Sequence, residues 1–338
     1  MIQAALARLL DGRDLTRSEA REVMDQIMKG EATAAQIGAF LIAMRIKRET
    51  PDEIAGCAEA MRAHVLAVHP KRSDLVDTAG TGGDGARTFN ISTAAALVAA
   101  AAGAGVAKHG NRAVSSASGS ADVLEALGLD LELPADRIER SIDELGFGFL
   151  FAPSHHPAMR YAAPVRRELA MRTVFNVLGP LTNPAGARAQ VVGVYAPELV
   201  PILAEVLVQL GAERAFVVHG ADGIDELSPT GPNLVCEVVD GAVRQREIDP
   251  LDLGIPRCHV SELAGDSPTD NAAVLREIFA GATGPRRDAV VLNAAGAIAA
   301  AGHARDLREG IGVAAEALDS GAAGRRLEEL IAFSRAAE

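Results

Sequence analysis

The sequence predicts an α/β protein in which a small all-helical domain precedes a larger domain built on a mainly parallel sheet. Two observations lead to this fold class. The first part of the chain carries only helix signals, whereas from Asp74 onward short apolar runs alternate with glycine-rich turns and helical stretches. We therefore expect residues 1–70 to form the helical domain and residues 71–154 and 181–338 the α/β domain, with helices of about 155–180 packing back onto the first.

Three capping boxes mark helix starts in the N-terminal part. Each combines a threonine with a glutamate or glutamine three residues later, so that the hydroxyl and the longer side chain each satisfy a backbone N–H group. The boxes begin at Thr16, Thr33 and Thr50. Pro51 suits the first position of the third helix, and Gly30 is well placed to end the first.

The larger domain is predicted from alternating apolar runs. Helices are expected over Ser92–Ala102 and Pro197–Leu210, and Asp240-Gly241 suits the two-residue turn of a hairpin within Val238–Val243. The candidate strands are Leu75–Val76, Gly105–Ala107, Val191–Tyr195, Ala215–His219 and Ala289–Asn293.

A glycine-rich segment follows the first predicted strand and precedes a helix. Residues 77–85 read DTAGTGGDG, and glycines there let backbone N–H groups cradle phosphates. Gly80, Gly82 and Gly85 also satisfy the dinucleotide pattern G-x-G-x-x-G. That pattern requires an acidic residue about 20 positions further on, but no Asp or Glu occurs between Asp84 and Asp122. A phosphorylated ligand is therefore favoured over NAD.

Two further segments are rich in hydrogen-bond donors. Residues 90–93 read NIST and place an amide and two hydroxyls at a helix start, where they can cap the helix and also face a phosphate. Residues 108–116 read KHGNRAVSS and place two fixed cations among several donors. Polar loops are common on protein surfaces, but two such loops that each follow a strand favour a site for pyrophosphate and phosphate groups.

Adjacent carboxylates, Asp225 and Glu226, follow another predicted strand. Open α/β sheets bind ligands at the carboxyl ends of their strands. Without a metal, two carboxylates would repel a phosphorylated ligand, whereas Mg²⁺ takes one or two carboxylates and completes its shell with water and substrate phosphates. The acidic pair and the glycine-rich segment together predict a Mg²⁺-assisted pyrophosphate site.

Composition excludes several classes of function. A formal net charge of -12 argues against a nucleic-acid-binding surface. The three cysteines stand in no metal-binding spacing, which is typical of thiols in a reducing compartment. The N-terminus lacks a signal peptide pattern, and the apolar run 94–106 is too short to span a bilayer. We expect a cytoplasmic protein that binds neither nucleic acid nor membrane.

Six segments, in order along nearly the whole chain, resemble the anthranilate phosphoribosyltransferase family of tryptophan biosynthesis. They read GTGGDG at 80–85, NIST at 90–93, KHGNRAVSS at 108–116, SGSADVLEALG at 118–128, NVLGPLTNPA at 176–185 and DGIDELSP at 222–229. The resemblance implies a helical domain and an α/β domain of the class III phosphoribosyltransferase type, a cleft between them, and homodimers formed through the helical domain. It also implies transfer of ribose 5-phosphate from phosphoribosyl pyrophosphate (PRPP) to the amine of anthranilate, with two Mg²⁺ ions per active site.

The resemblance also implies a set of site residues. Ser92 and Glu226 would hold one Mg²⁺, and Asp225 with Glu226 the other. Anthranilate would contact Asn111 and Arg166, in a pocket lined by Gly80, His109, His156, Gly179 and Pro180. The residues implied for PRPP are Gly80, Gly83, Asp84, Thr88, Asn90, Ile91, Ser92, Thr93, Lys108, His109, Gly110, Asn111, Arg112, Ala113, Val114, Ser115, Ser116 and Ser120.

Ala117 and Arg87 depart from the family pattern and change the distribution of charge in the two loops. We expect catalysis by positioning and metal electrostatics, with no obligatory general base and His109 as the candidate proton acceptor. Two other functions compete. A pyrimidine nucleoside phosphorylase shares the two-domain plan and a Lys-His-Gly loop, and a non-catalytic nucleic-acid-binding relative shares the fold but should be basic and lack the acidic pair.

Overall fold

The computed structural model describes residues 1–113 and 117–336. Its first 65 residues are helical, as predicted. All three capping boxes are formed, with Thr16, Thr33 and Thr50 each accepting from the backbone N–H three residues on. The four helices are α1 (Ile2–Leu10), α2 (Arg17–Met28), α3 (Ala34–Lys47) and α4 (Pro51–Ala63).

The described residues also form a seven-stranded sheet. Its strands are β1 (Leu75–Gly80), β2 (Gly105–Gly110), β3 (Phe147–Phe151), β4 (Ala189–Gly193), β5 (Arg214–His219), β6 (Asn233–Val239) and β7 (Ala242–Ile248). The order is β3-β2-β1-β4-β5-β6-β7, in which β1 to β5 are parallel and the last two strands are antiparallel. The mainly parallel sheet is therefore confirmed, and the predicted hairpin joins β6 to β7 around Asp240-Gly241. Strand β3 was not among the predicted strands.

Helices connect the strands and cover both faces of the sheet. They are α5 (Ile91–Ala101), α6 (Ser120–Leu127), α7 (Ala135–Leu145), α8 (Ala152–His155), α9 (Ala163–Leu169), α10 (Phe175–Leu178), α11 (Leu199–Gln209), α12 (Pro268–Phe279), α13 (Pro285–Ala300), α14 (Leu307–Asp319) and α15 (Ala322–Arg335). The helices predicted over Ser92–Ala102 and Pro197–Leu210 correspond to α5 and α11.

The strand predicted over Ala289–Asn293 is wrong, because this segment lies inside α13. Every residue from Ala289 to Ala300 is buried, so α13 is enclosed on all sides along this stretch, and Asn293 is its one strongly polar side chain there. A short apolar run of this kind does not distinguish a buried helix from a buried strand by its periodicity. The length of the run and Pro285 at the first helical turn are the signals that indicate a helix.

The two faces of the sheet contact different hydrophobic clusters. Val191 and Phe216 point to the cluster formed by helices α5, α13, α14 and α15, whereas Val192 and Val217 point to the cluster that contains α11 and the N-terminal helices. Side chains alternate because successive strand residues face opposite sides. Residues of α9 and α10, among them Val165, join the second cluster and pack against the N-terminal helices. Within residues 1–113 and 117–336, no helix is both long and apolar enough to cross a membrane.

Candidate active site

The carboxyl ends of β1 and β2 line a large cavity. In the sheet, β2 lies on one side of β1 and β4 on the other, so the direction of the strand order reverses at β1. Such a switch point is where open α/β sheets bind ligands. The cavity measures about 720 Å³ and includes Met61 of α4 and Arg166 of α9, so the helical segments form one of its walls.

Most of the residues implied by the family resemblance line this cavity. They are Gly80, Gly83, Asn90, Ser92, Thr93, Lys108, His109, Gly110, Asn111, Arg112, Ala113, Ser120, His156, Arg166, Gly179, Pro180, Asp225 and Glu226. Asp84, Thr88 and Ile91, which the structure describes, are not among the residues that line this cavity. Val114, Ser115 and Ser116 lie outside the described residues.

Asp225 packs directly on the ends of the two central strands. Gly80 and Gly193 face each other in the pairing of β1 with β4. A Cβ atom at Gly80 would clash with Oδ2 of Asp225, and one at Gly193 would overlap its carbonyl oxygen. A side chain at Gly193 would therefore displace the backbone of Asp225, and one at Gly80 would displace its carboxylate. Gly193 was not among the predicted site residues, although an isolated glycine within a β-branched run is a known signal of close backbone approach.

The acidic pair is held by backbone donors from the two predicted loops. Oδ2 of Asp225 accepts from the N–H of Gly82 at 2.7 Å, and Oε1 of Glu226 accepts from the N–H of Ser92 at 3.0 Å. Burial raises the pKa of Asp225, as does the neighbouring charge of Asp84, whose carboxylate accepts from the Asp225 N–H. Burial and the charge of Asp225 likewise raise the pKa of Glu226. Full ionisation of this pair is therefore costly unless a cation lies close by.

Two buried polar atoms at the cavity are available to bind a ligand. Within the described ranges, Oε2 of Glu226 and Oγ1 of Thr93 have no hydrogen-bond partner although both are buried. Buried polar atoms in proteins are normally satisfied, so unsatisfied ones indicate a group that binds there. No set of three or more His, Cys, Asp or Glu side chains in residues 1–113 and 117–336 is arranged to hold a metal alone. Mg²⁺ needs no such set, because substrate phosphates complete its shell, and so the acidic pair fits this ion.

Lys108 is buried between the first two strands rather than extended into solvent. Its Nζ donates to the carbonyl oxygen of Thr78 at 2.6 Å and to its hydroxyl at 3.1 Å. Burial lowers the pKa of Lys108 to about 8, against the opposing attraction of Asp77. The ammonium group therefore supplies a positive charge near the acidic pair, beneath the cavity.

Asp77 is a buried carboxylate that was not among the predicted site residues. It accepts from the backbone N–H of His109 at 3.1 Å and from Nδ2 of Asn183 at 2.7 Å. Burial raises its pKa to about 6, although Lys108 favours the charged form. Asp77 and Asn183 thus hold the end of β2 against β1, which aims Lys108 and His109 at the cavity.

A second part of the cavity contains one cation and two histidine rings. The guanidinium of Arg166 is half-buried and lies 5.1 Å from the ring centroid of Phe175. The rings of His109 and His156 lie 5.0 Å apart, and burial lowers the pKa of both. This part can bind a flat apolar ring that carries a carboxylate.

Asn90 and Arg112 line the cavity but are bound to protein groups. The amide of Asn90 donates to the carbonyl oxygen of Ser118 at 3.0 Å and accepts from Asn271 at 2.9 Å. Arg112 pairs with Glu125 at 2.7 Å and also with Asp122 of α6. Asn90 therefore connects α5 to the second loop, and Arg112 would have to leave an exposed ion pair to reach a phosphate.

Arg172 is a further residue that the sequence did not indicate. It donates to the carbonyl oxygen of Gly83 and lies 4.0 Å from the ring centroid of Tyr195. Arg172 precedes α10, so its side chain joins the glycine-rich loop to the helical wall of the cavity. Its position between a loop and a helical segment that are distant in sequence explains why no local pattern revealed it.

Comparisons with known proteins agree with this geometry. Residues 3–65 match the helical bundle domain of the glycosyl transferase family, and residues 72–324 match the a/b domain of that family. An anthranilate phosphoribosyltransferase of Anaeromyxobacter is 57% identical over 335 residues, covering 99% of each chain.

Solved structures give the same result. The crystal structure of anthranilate phosphoribosyltransferase from Thermus thermophilus superposes with a TM-score of 0.94 at 50% identity, covering 98% of this chain and 99% of that one. The Saccharomyces cerevisiae enzyme in complex with PRPP and Mg has a TM-score of 0.90 at 29% identity, covering 98% and 97%. With relatives this similar along almost its entire length, the chain belongs to the anthranilate phosphoribosyltransferase family.

Proposed function

We propose that this protein transfers the 5-phosphoribosyl group of PRPP to the amine of anthranilate, giving N-(5-phosphoribosyl)anthranilate and pyrophosphate in tryptophan biosynthesis. One observation carries the proposal most directly. The half-buried pair Asp225 and Glu226 faces the glycine-rich loop in the same cavity that holds Arg166 and the histidine pair. A metal-assisted pyrophosphate site and a carboxylate-binding site are thus adjacent, as a transfer between these two substrates requires.

PRPP is assigned to the side of the cavity formed by the loops after β1 and β2. Backbone N–H groups of the glycine-rich loop and of the start of α5 supply donors for phosphates. The unpaired hydroxyl of Thr93 supports this position. The proposed contacts are Gly80, Gly83, Asp84, Thr88, Asn90, Ile91, Ser92, Thr93, Lys108, His109, Gly110, Asn111, Arg112, Ala113, Val114, Ser115, Ser116 and Ser120.

Two Mg²⁺ ions are assigned to each active site, one held by Ser92 and Glu226 and one by Asp225 and Glu226. The raised pKa of both carboxylates and the unpaired Oε2 of Glu226 support a cation at this position. When bound, Mg²⁺ would neutralise the charge that develops on the leaving pyrophosphate. The yeast relative was solved with PRPP and Mg, which supports the choice of ion.

Anthranilate is assigned to the pocket near Arg166. The guanidinium fork matches the geometry of a carboxylate, and Asn111 provides amide hydrogen bonds. The remaining wall consists of Gly80, His109, His156, Gly179 and Pro180. The yeast relative was also solved with 4-fluoroanthranilate, which supports an aromatic carboxylate as the acceptor.

Catalysis by this chain rests on positioning. The two loops hold ribose C1′ in line with the incoming amine, which converts a bimolecular encounter into a reaction within one complex. We assign no obligatory general base. Burial lowers the pKa of His109 to about 3, and its Nε2 faces His156, so His109 is better suited to binding than to proton acceptance.

The loss of anthranilate fluorescence on addition of PRPP and Mg²⁺ tests the proposal. We expect turnover by the wild type, no phosphorolysis of thymidine or uridine, and a loss of about a hundredfold or more for Asp225→Asn/Glu226→Gln at limiting Mg²⁺. Glu237→Gln changes an acidic residue on β6 and serves as the control. Absence of fluorescence loss with an active control enzyme present would refute the function. Unchanged turnover of the double variant would refute the metal assignment alone.

We also propose a homodimer formed through the helical domain, which comprises residues 1–70 and the helices of about 155–180. Leu10 of α1 and Ile46 of α3 support this, because both side chains are about four-fifths exposed on helices that pack against each other. Light scattering should give the dimer mass for the wild type and a lower mass for Leu10→Asp/Ile46→Asp. A cytoplasmic location is supported by Cys57, Cys236 and Cys258, which are unpaired among the described residues.

A further inference from the structure

Two asparagine side chains hold the backbone immediately after the acidic pair. The N–H of Leu227 donates to Oδ1 of Asn293 at 2.9 Å, and Nδ2 of Asn293 donates back to the carbonyl oxygen of Leu227 at 2.7 Å. The next residue is held in the same way. The N–H of Ser228 donates to Oδ1 of Asn233 at 2.7 Å, and Nδ2 of Asn233 donates to the carbonyl oxygen of Ser228 at 3.0 Å.

These contacts meet a requirement of the backbone. Residues 224–228 lie outside helices and strands, yet Leu227, Ser228, Asn233 and Asn293 are all buried. A buried peptide group must find a donor and an acceptor. The asparagine amide carries both in one planar group, so a single side chain can satisfy both groups of one residue. The asparagine amide is uncharged, so it adds no charge beside Asp225 and Glu226.

The two hydrogen bonds between Asn293 and Leu227, called the clamp from here on, act on the position of Glu226 because Leu227 is the next residue. On the other side of the pair, the N–H of Gly220 donates to the carbonyl oxygen of Ile224 at 2.8 Å. Glu226 is therefore fixed from both directions, even though the carboxylate of Asp225 lies beside it and repels it when both are charged. Without the clamp, that repulsion and the unsatisfied Leu227 backbone would both favour movement of the turn.

Asn293 comes from α13, which belongs to a different layer of the fold. Its Nδ2 also donates to the carbonyl oxygen of Ala289 one turn earlier at 2.9 Å, which fixes the rotamer of the side chain. Both N–H groups of the Asn293 amide donate and its oxygen accepts, so the side chain can adopt only one orientation. We propose that Asn293 is a positioning residue for the proposed Mg²⁺ site, with Asn233 as its partner on the following residue.

This inference rests on the Mg²⁺ site of the proposed function but not on anthranilate as the acceptor substrate. Asn293 borders a small pocket with Asp225 and Glu226 but does not line the cavity that contains Arg166 and the histidine pair, so its effect should be confined to binding of Mg²⁺ and of PRPP in its presence. Asn233 also donates to the carbonyl oxygen of Ile248 at 3.3 Å and ties β6 to β7. Asn293 is therefore the cleaner residue to test.

The experiment compares Asn293→Ala and Asn293→Ser with the wild type. We expect the Mg²⁺ concentration that gives half-maximal turnover to rise about tenfold in Asn293→Ala, since a buried backbone donor and acceptor lose their partner. The serine hydroxyl can replace one hydrogen bond, so Asn293→Ser should show a smaller rise. Saturating Mg²⁺ should restore kcat, and the KM for anthranilate measured there should match the wild type.

A second measurement does not depend on turnover. Calorimetric titration with PRPP, without anthranilate, should show weakened binding of Asn293→Ala at low Mg²⁺ and near-normal binding at high Mg²⁺. Val290→Ala is the matched control, because Val290 is buried on the same helix and has no polar side chain. It should lower thermal stability without changing the Mg²⁺ requirement.

The results separate the two proposals. If the wild type binds PRPP with Mg²⁺ but does not consume anthranilate, the proposed acceptor is wrong and the calorimetric comparison still tests the clamp. A loss of kcat at every Mg²⁺ concentration, with an unchanged Mg²⁺ requirement, would overturn the positioning role. The positioning role would also be overturned if Asn293→Ala behaved like the wild type or like Val290→Ala. If Asn293→Ala does not fold, Asn293→Ser decides by the same criteria.

Discussion

The Nε2 atom of His109 lies 3.2 Å from the Nε2 atom of His156, and both residues are buried. Nδ1 of His109 lies 3.1 Å from the carbonyl oxygen of Gly179, which can only accept a hydrogen bond. Nδ1 of His109 therefore carries a proton, and its Nε2 accepts from the Nε2–H of His156. This arrangement requires the His109 ring to be neutral, because a proton on its Nε2 would face another N–H group.

The first prediction concerns the effect of acid on stability. Burial lowers the pKa of His109 to about 3 and that of His156 to about 4, below the value of about 6.5 in an unfolded chain. The unfolded state therefore binds more protons below pH ~6.5, and the free energy of unfolding falls as pH drops from there toward 4. Over this pH range, the free energy of unfolding of His156→Gln should fall by about 1–3 kcal/mol less than that of the wild type.

Urea unfolding at pH 6.5 and pH 4.5 measures that difference. His69→Asn, at an exposed position, removes a histidine without touching the pair and serves as the control. An equal acid-dependent loss of stability in His156→Gln and the wild type would contradict the prediction.

The second prediction concerns Arg166. Arg166→Lys should raise the KM for anthranilate by about 10- to 100-fold, because a lysine cannot form the paired hydrogen bonds of a guanidinium with a carboxylate. The KM for PRPP should change little. Steady-state fluorescence kinetics check both constants. Arg167→Lys alters the exposed neighbour on the same helix and should leave both constants unchanged; an equal effect of the two substitutions would argue against the assignment.

The third prediction concerns Gly193. A Cβ atom there would overlap the carbonyl oxygen of Asp225, so Gly193→Ala must displace the acidic pair or the end of β4. We expect a loss of turnover of about a hundredfold or more. Val192→Ala, in the same strand, should cost about 1–3 kcal/mol of stability but retain the Mg²⁺ requirement. Normal turnover of Gly193→Ala would show that Asp225 is not held by this contact.

The fourth prediction compares two glycines of α14. A Cβ atom at Gly312 meets nothing within 4 Å, whereas one at Gly310 would lie 2.6 Å from the carbonyl oxygen of Ala295 on α13. Gly312→Ala should stabilise the protein by about 0.5–1 kcal/mol, because it removes backbone freedom from the unfolded chain. Gly310→Ala should destabilise it by forcing two helices apart. Thermal unfolding of both variants tests the contrast, and equal melting temperatures would contradict it.

Local patterns predicted the elements whose stabilising contacts lie close together in sequence. The capping boxes at Thr16, Thr33 and Thr50 form within four residues, and the Asp240-Gly241 turn needs only its two flanking strands. The glycine-rich segment was recognisable because its backbone conformation and its position after a strand are both local properties. The error at Ala289–Asn293 has the opposite origin, since burial of α13 on all sides depends on neighbours from distant parts of the chain.

The sequence by itself determined the fold class, the loops suited to phosphates and the acidic pair suited to Mg²⁺. Only the tertiary structure decided which groups hold that pair in place. Gly193 admits Asp225 because β4 lies beside β1, Asn183 reaches Asp77 across 106 positions, and Asn293 reaches Leu227 across 66. The physical reason is that a hydrogen bond or a close approach acts over a few ångströms, while the partners that meet there are set by strand order and helix packing.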